Sequence, residues 1–267
     1  MNVSSVSRNK LNRVVLLVCA LGGLALAGGC ITTTEGVFTD KPSPAKALER
    51  RVELARKYIG EGNWDDAKRN LKLAYDIDPK NAEVHEAFAL VYQSTGEDEP
   101  AEEHFQRAIA LDGGFSRARN NYAAFLYSQQ RFAEAEKQLE RVVRDTLYEG
   151  RPMAFVNLGL CRQQLFDASG AEQAFVRALS MDRTNRIALL EVASLRYDAG
   201  DYDNAQRYYD NYRSVVRQQS ARGLWLGIRL ARHSGNRDAE GSYALALSNL
   251  YPQSVEYQTY RGERDGD

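Results

Sequence analysis

The feature that most restricts what this chain can become is an internal period of 34 residues. Aligned on the alanine that opens the second half of each unit, the sequence falls into six copies, at 48–81, 82–115, 116–149, 152–185, 186–219 and 220–253, with one two-residue insertion. The first copy carries Leu54, Ala55 and Tyr58, then Gly62, Trp64, Ala67, Leu71, Ala74 and Pro79. The second repeats that order with Phe88, Ala89, Tyr92, Gly96, Ala101, Phe105 and Ala108, and the fifth with Val192, Ala193, Gly200, Tyr202, Ala205 and Tyr209. A fixed period of this size means one supersecondary unit stacked on itself.

Within each copy the apolar residues recur at helical spacing, first on one segment and then on a second. The large-small pairs Leu54-Ala55, Phe88-Ala89, Leu158-Gly159 and Leu226-Gly227 leave room for the second helix to approach the first. Gly62, Gly96 and Gly200 stand where first helices end and a positive φ is tolerated. Pro100 falls in a first turn, where its missing N–H is harmless, and Pro79 stops a second helix. One such hairpin cannot bury both of its stripes, so stacking is obligatory. The expected fold is all-α, a right-handed superhelix of six helix-turn-helix units over 48–253. Residues 254–267, with Tyr257 and Tyr260, form the cap or tail. These residues resemble the tetratricopeptide repeat.

The first 47 residues lie outside the period. Arg8, Lys10 and Arg13 precede an apolar run from Val14 to Leu26 and the small residues Ala27, Gly28 and Gly29, the layout of an export signal over 1–29. The run is about 13 residues, short of the roughly 20 that a spanning helix needs. Cys30 follows, and Leu-Ala-Gly-Gly-Cys resembles a bacterial lipobox, with Ala27 where the motif usually has Leu. That resemblance implies a covalent lipid on Cys30, with chains such as palmitate, and no other cofactor. Two acyl chains are what stable anchoring takes. Ile31 after the cysteine implies the outer membrane by the sorting rules of such lipoproteins, so the anchor would sit in the inner leaflet and the protein face the periplasm. Residues 31–47, with a threonine cluster, Pro42 and Pro44, read as a tether reaching at most about 55–60 Å.

Composition removes several functions. Net charge is −1 with lysines and arginines interspersed among acids, so there is no basic field to follow a phosphate backbone and nucleic acid is not an expected partner. Of three cysteines, Cys19 lies in the leader and Cys30 ends it, leaving Cys161 nothing to pair with. His85, His104 and His233 are scattered and expected at surfaces or hairpins, without ligand spacing, and no metal site is expected. No nucleophile elbow, phosphate loop or dinucleotide fingerprint occurs in the body of the chain, and no catalytic residue is expected. Asp65-Asp66 and Glu102-Glu103 read as acids at the start of second helices, favourable to the dipole.

What remains is the inner face of the stacked first helices. Its candidates are Val52, Arg56 and Ile59 in the first unit, Glu86, Leu90 and Gln93 in the second, Asn120, Ala124 and Tyr127 in the third, and Val156, Leu160 and Gln163 in the fourth. That mixture of apolar and amide groups suits an extended or helical protein segment, with Val52 and Ile59 making the first unit the more apolar end. The Lys/Asn clamp of chaperone-tail receptors is missing, with Val52 and Ala87 at those places.

A more specific resemblance lies in 155–164, 188–210 and above all ARGLWLGIRLARHSGNRDAEGSYALALSNLYPQSVEYQTY at 221–260. These stretches, with the lipobox, tether and six repeats, resemble the type IV pilus biogenesis lipoproteins called PilF or PilW, the pilotins. The resemblance implies a non-enzymatic scaffold that binds the pilus secretin subunit and promotes its outer-membrane localisation and multimerisation, using the apolar groove of the first repeats. The alternative is a repeat-bearing lipoprotein adaptor for outer-membrane protein assembly or cell-wall enzymes.

Overall fold

The computed structural model describes residues 43–265. The signal segment 1–29, Cys30 and the tether up to residue 42 lie outside the described residues, as do the last two residues. Among those described there are thirteen helices and no strand: α1 Pro44–Gly60, α2 Trp64–Ile77, α3 Ala82–Thr95, α4 Asp98–Leu111, α5 Ser116–Ser128, α6 Phe132–Val142, α7 Arg151–Gln164, α8 Ala168–Met181, α9 Arg186–Asp198, α10 Tyr202–Val215, α11 Ala221–His233, α12 Arg237–Leu250 and α13 Val255–Asp265. Six hairpins, α1/α2 to α11/α12, stack into a solenoid of the tetratricopeptide type with α13 at the end. None of these helices is long and apolar enough to cross a membrane.

The boundaries follow from short polar side chains. Asn63, Asp167, Asp201 and Asn236 cap the second helices of units one, four, five and six by accepting a backbone N–H three residues on. Asn81 and Asn185 do the same for the first helices α3 and α9. Each such cap is worth about 1 kcal/mol. The helix-ending turns are left-handed at Gly62, Gly96, Gly200 and Gly235, as the period anticipates for the first three. In units three and four the same conformation falls on Gln130 (φ 59) and Phe166 (φ 60). Phe166 is 96% exposed, so nothing packs against it to offset the strain.

The sequence places Pro44 in the tether; the structure makes it the first residue of α1. A proline at the first helical position loses no hydrogen bond, and its fixed φ suits the helix. The second-helix stripes are otherwise as expected: Ala67/Leu71/Ala74, Ala101/Phe105/Ala108, Ala135/Leu139/Val142 and Ala171/Phe175/Ala178 are buried. Unit six departs from this. There Ala244 and Leu247 are buried with Leu224 and Ile228, and Tyr257 and Tyr260 of α13 pack on that group, covering the last hairpin as a cap. The small member of each large-small pair is a contact point. An added Cβ at Gly159 would lie 2.6–2.8 Å from three ring atoms of Phe175.

Candidate protein-binding surface

Along the inner face, α1 packs on α3, α3 on α5, α5 on α7, and α9 on α11. The side chains between them form a polar ladder. Glu86 is fully buried. One of its oxygens accepts from Arg56 of the preceding unit at 2.6 Å, the other from Asn121 of the next at 2.6 Å, and Arg117 stands 3.8 Å away. Glu191, 3% exposed, repeats the arrangement: Arg222 donates to both its oxygens at 2.7 and 3.0 Å, and Gln163 donates at 2.9 Å. Asn157 donates to Asn120 at 3.2 Å between them. Burying a carboxylate is tolerable only when its oxygens are satisfied in this way.

The structure therefore revises the inner-face expectation. Arg56, Glu86, Asn120 and Gln163 do meet their neighbours, but Glu86 is locked in the ladder and is not offered to a partner. Val52 is 4% exposed and packs with Ala74 and Val84, because the second helix of its own unit and the first helix of the next close over it. Val156 is likewise core, beside Phe175 and Val192. Ile59 and Leu90 are half-buried against core clusters. Gln93 is half-buried and Ala124 exposed. Tyr127 meets Phe132 edge-on at 5.0 Å and, with Leu160, Asn157 and Cys161, lines a pit of about 100 Å³. Burial pushes the Cys161 thiol up to about 12, so it behaves as a small apolar side chain.

Two larger openings are lined by inner-face residues, and another, of about 360 Å³, lies at Ser116, Arg119, Arg141 and Asp145. A cleft of about 350 Å³ beside α1 is lined by Leu48 and Val52 but also by Glu49, Glu53, Glu83, Arg56 and Arg117, so the first unit is the more charged end. The other inner-face opening, about 820 Å³, lies beside α9 and the link between α10 and α11. Its walls are Leu160, Ile187, Leu190, Tyr212, Val215 and Val216, with arginines at the rim. The sequence reading missed this distal cleft entirely.

Other residues also sit differently from expectation. His85 is buried, and its Nε2–H donates to the Pro79 carbonyl at 3.0 Å, which leaves Nδ1 to accept from His104 Nδ1–H at 3.1 Å. His233, by contrast, is exposed at the end of α11 as expected, and stacks on Tyr202 with ring centroids 3.6 Å apart. Glu102 is no mere helix-start acid, because it accepts from Tyr122 at 2.7 Å and Arg131 at 2.7 Å in the next unit. The arginine holds its carboxyl below the ordinary range. Among the described residues there is no group of His, Cys, Asp or Glu able to hold a metal.

A solenoid with a bonded inner ladder and two clefts can hold a polypeptide, and its relatives carry the same build. The profile of the tetratricopeptide repeat family matches residues 101–146. Over 238 residues, 88% of this chain and 94% of the relative, the sequence is 38% identical to the type IV pilus assembly protein PilF of Pseudomonas aeruginosa. The chain belongs to the PilF family. A solved structure of Pseudomonas aeruginosa PilF superposes with a TM-score of 0.79 at 39% identity, covering 82% of this chain and 99% of that one. The crystal structure of PilW, a widely conserved type IV pilus biogenesis factor, matches with a TM-score of 0.70 at 27% identity, covering 80% and 98%. The family assignment thus rests on a match over 88% of the chain and on the shared solenoid.

Proposed function

We propose that this protein acts in type IV pilus biogenesis as a non-enzymatic outer-membrane lipoprotein. It holds the secretin subunit at the membrane and so promotes its localisation and multimerisation. The observation that carries this reading is identity to PilF over 94% of that protein's length, with the same solenoid. The lipobox cysteine Cys30 supports the anchor, and the inner face supports a protein cargo. Acyl chains fix the scaffold to the inner leaflet, facing the periplasm, and binding then raises the local concentration of secretin subunits. Arg56, Ile59, Leu90, Gln93, Asn120 and Tyr127 are the inner-face residues nearest to that role. Val52 and Glu86 support them from the core.

Deleting the gene should abolish surface pili and heat-stable secretin multimers while porin levels stay normal. Cys30→Ala should move both this protein and the secretin away from the outer membrane in fractionated envelopes. Lowered porins with intact pili would refute the reading and favour an outer-membrane assembly adaptor.

A further inference from the structure

The distal cleft is larger than the one at the first unit, and its chemistry names a ligand class. At about 820 Å³ it has room for several side chains of a bound segment. Its apolar wall includes Ile187 and Val215, which are 36% and 38% exposed although they border a packed core. Three arginines, Arg186, Arg217 and Arg222, line it against one carboxylate, Glu191. That carboxylate has both oxygens occupied by Arg222 and Gln163, so it offers no negative charge to a visitor. Arg186 and Arg217 make no ion pair or hydrogen bond to the described residues. In a chain whose net charge is −1, the cleft is locally positive, whereas the first-unit cleft carries three glutamates to two arginines.

The backbone adds donors. After α10 the chain leaves helical geometry at Val216 (φ −106, ψ 138) and reaches α11 through Arg217–Ser220. The N–H groups of Arg217 and Gln218, both in the lining, have no acceptor among the described residues. Tyr251 braces this link by donating its hydroxyl to the Gln219 carbonyl at 2.7 Å. A braced link with free N–H groups beside an apolar wall and unpaired guanidinium groups suits carboxylates flanked by large apolar side chains.

We propose that the distal cleft is a docking site for a protein segment in which Asp or Glu alternates with large aliphatic or aromatic residues. The proposal is independent of which protein supplies that segment and does not rest on the secretin reading.

The test uses the full chain in detergent and a random dodecapeptide library displayed on phage. Enriched sequences should combine acidic with large apolar residues. A synthetic peptide of the enriched sequence should bind with an affinity that falls at least tenfold in Arg186→Glu/Arg217→Glu and in Ile187→Glu. The milder Arg186→Gln/Arg217→Gln chain should lose affinity by a smaller factor, and Lys72→Ala, exposed on α2 and outside this cleft, should lose none. Enrichment of basic or uncharged peptides, or of none, would overturn the proposal, as would binding unchanged in the cleft variants. So would the finding that charge reversal leaves peptide binding intact yet weakens association of the Cys30→Ala chain with phosphatidylglycerol vesicles, which would assign the arginines to lipid.

Discussion

Replacing Gly159 by alanine sets two well-measured effects against each other inside one helix. Propensity alone favours the change, since alanine in a helix interior is about 1 kcal/mol better than glycine. Packing opposes it. The new Cβ would sit 2.6, 2.7 and 2.8 Å from Cε1, Cζ and Cδ1 of Phe175, and ordinary contact begins near 3.4 Å. The ring is fully buried between Val156, Ala171, Ala178, Ala188 and Val192, so it has no open direction in which to retreat. Overpacking of that kind costs about 1–3 kcal/mol. With three ring atoms struck at once, the upper half of that range applies, leaving a net loss of about 1–2 kcal/mol after the propensity gain. Gly241 in α12 is the matched control, since a Cβ there meets nothing within 4 Å. Gly241→Ala should therefore stabilise by about 1 kcal/mol. Urea titrations followed by circular dichroism at the helix band measure both. The Gly159→Ala loss should shrink when Phe175 is cut to Leu in the same chain, as a coupling between touching residues requires. If Gly159→Ala raised stability as Gly241→Ala does, the close approach of α7 and α8 could not be what the small residue is for.

Three other perturbations have equally definite outcomes. Phe166→Gly removes a left-handed strain of about 1–2 kcal/mol and loses no packing, against a glycine entropy loss of about 0.5–1 kcal/mol, so thermal unfolding should move up by about 2 °C; a lower midpoint would contradict it. Glu86→Ala removes the buried acceptor shared by Arg56 and Asn121, while Arg56 and Arg117 keep Glu83, and should cost about 1–3 kcal/mol in urea unfolding, whereas Glu83→Ala, on the exposed side of the same arginines, should cost less than about 1 kcal/mol. Burial, and then the charge of His85, depress His104 below the usual 6.5, so the folded state binds fewer protons than the unfolded one as pH falls through that value. Stability should be fully present above pH 6.5 and decline below it, and His104→Gln should flatten that part of the profile measured by thermal melts.

How much of this was legible in the sequence depends on what kind of fact each residue encodes. The period, the glycine turns and the large-small pairs were readable because each is a local demand that recurs along the chain, and the terminal cap because the last stripe needs a cover. Val52 misled, since an aliphatic residue in the first unit looks the same whether it faces a groove or meets Ala74 and Val84, whose positions depend on the stacking angle. Glu86 misled and Glu191 passed unremarked for a related reason, a carboxylate on an inner helix being ordinarily solvated. A signal for them did exist. Glu86 and Arg117 are 31 residues apart, as are Glu191 and Arg222, and Arg56 and Glu86 are 30 apart. That spacing is about one helical turn short of the period, which places the partners face to face on adjacent first helices. The distal cleft had no such mark, because it is walled in part by the link between α10 and α11, and a period of helix positions does not say how a link is set.

The clasped carboxylates make the order of the units matter. In an ideal repeat array any unit can be excised or duplicated, because every junction is the same apolar joint. Here the second unit carries an acid that only the guanidinium before it and the amide after it can satisfy, and the fifth carries another that looks to the fourth and sixth. Excising the sixth unit would remove Arg222, the donor to both oxygens of Glu191, and leave that buried carboxylate with Gln163 alone. The solenoid behaves less like a string of interchangeable beads than like a sentence whose words agree in gender: its length is set by grammar written along the inner face, and a shortened or extended version would have to be rewritten at each seam.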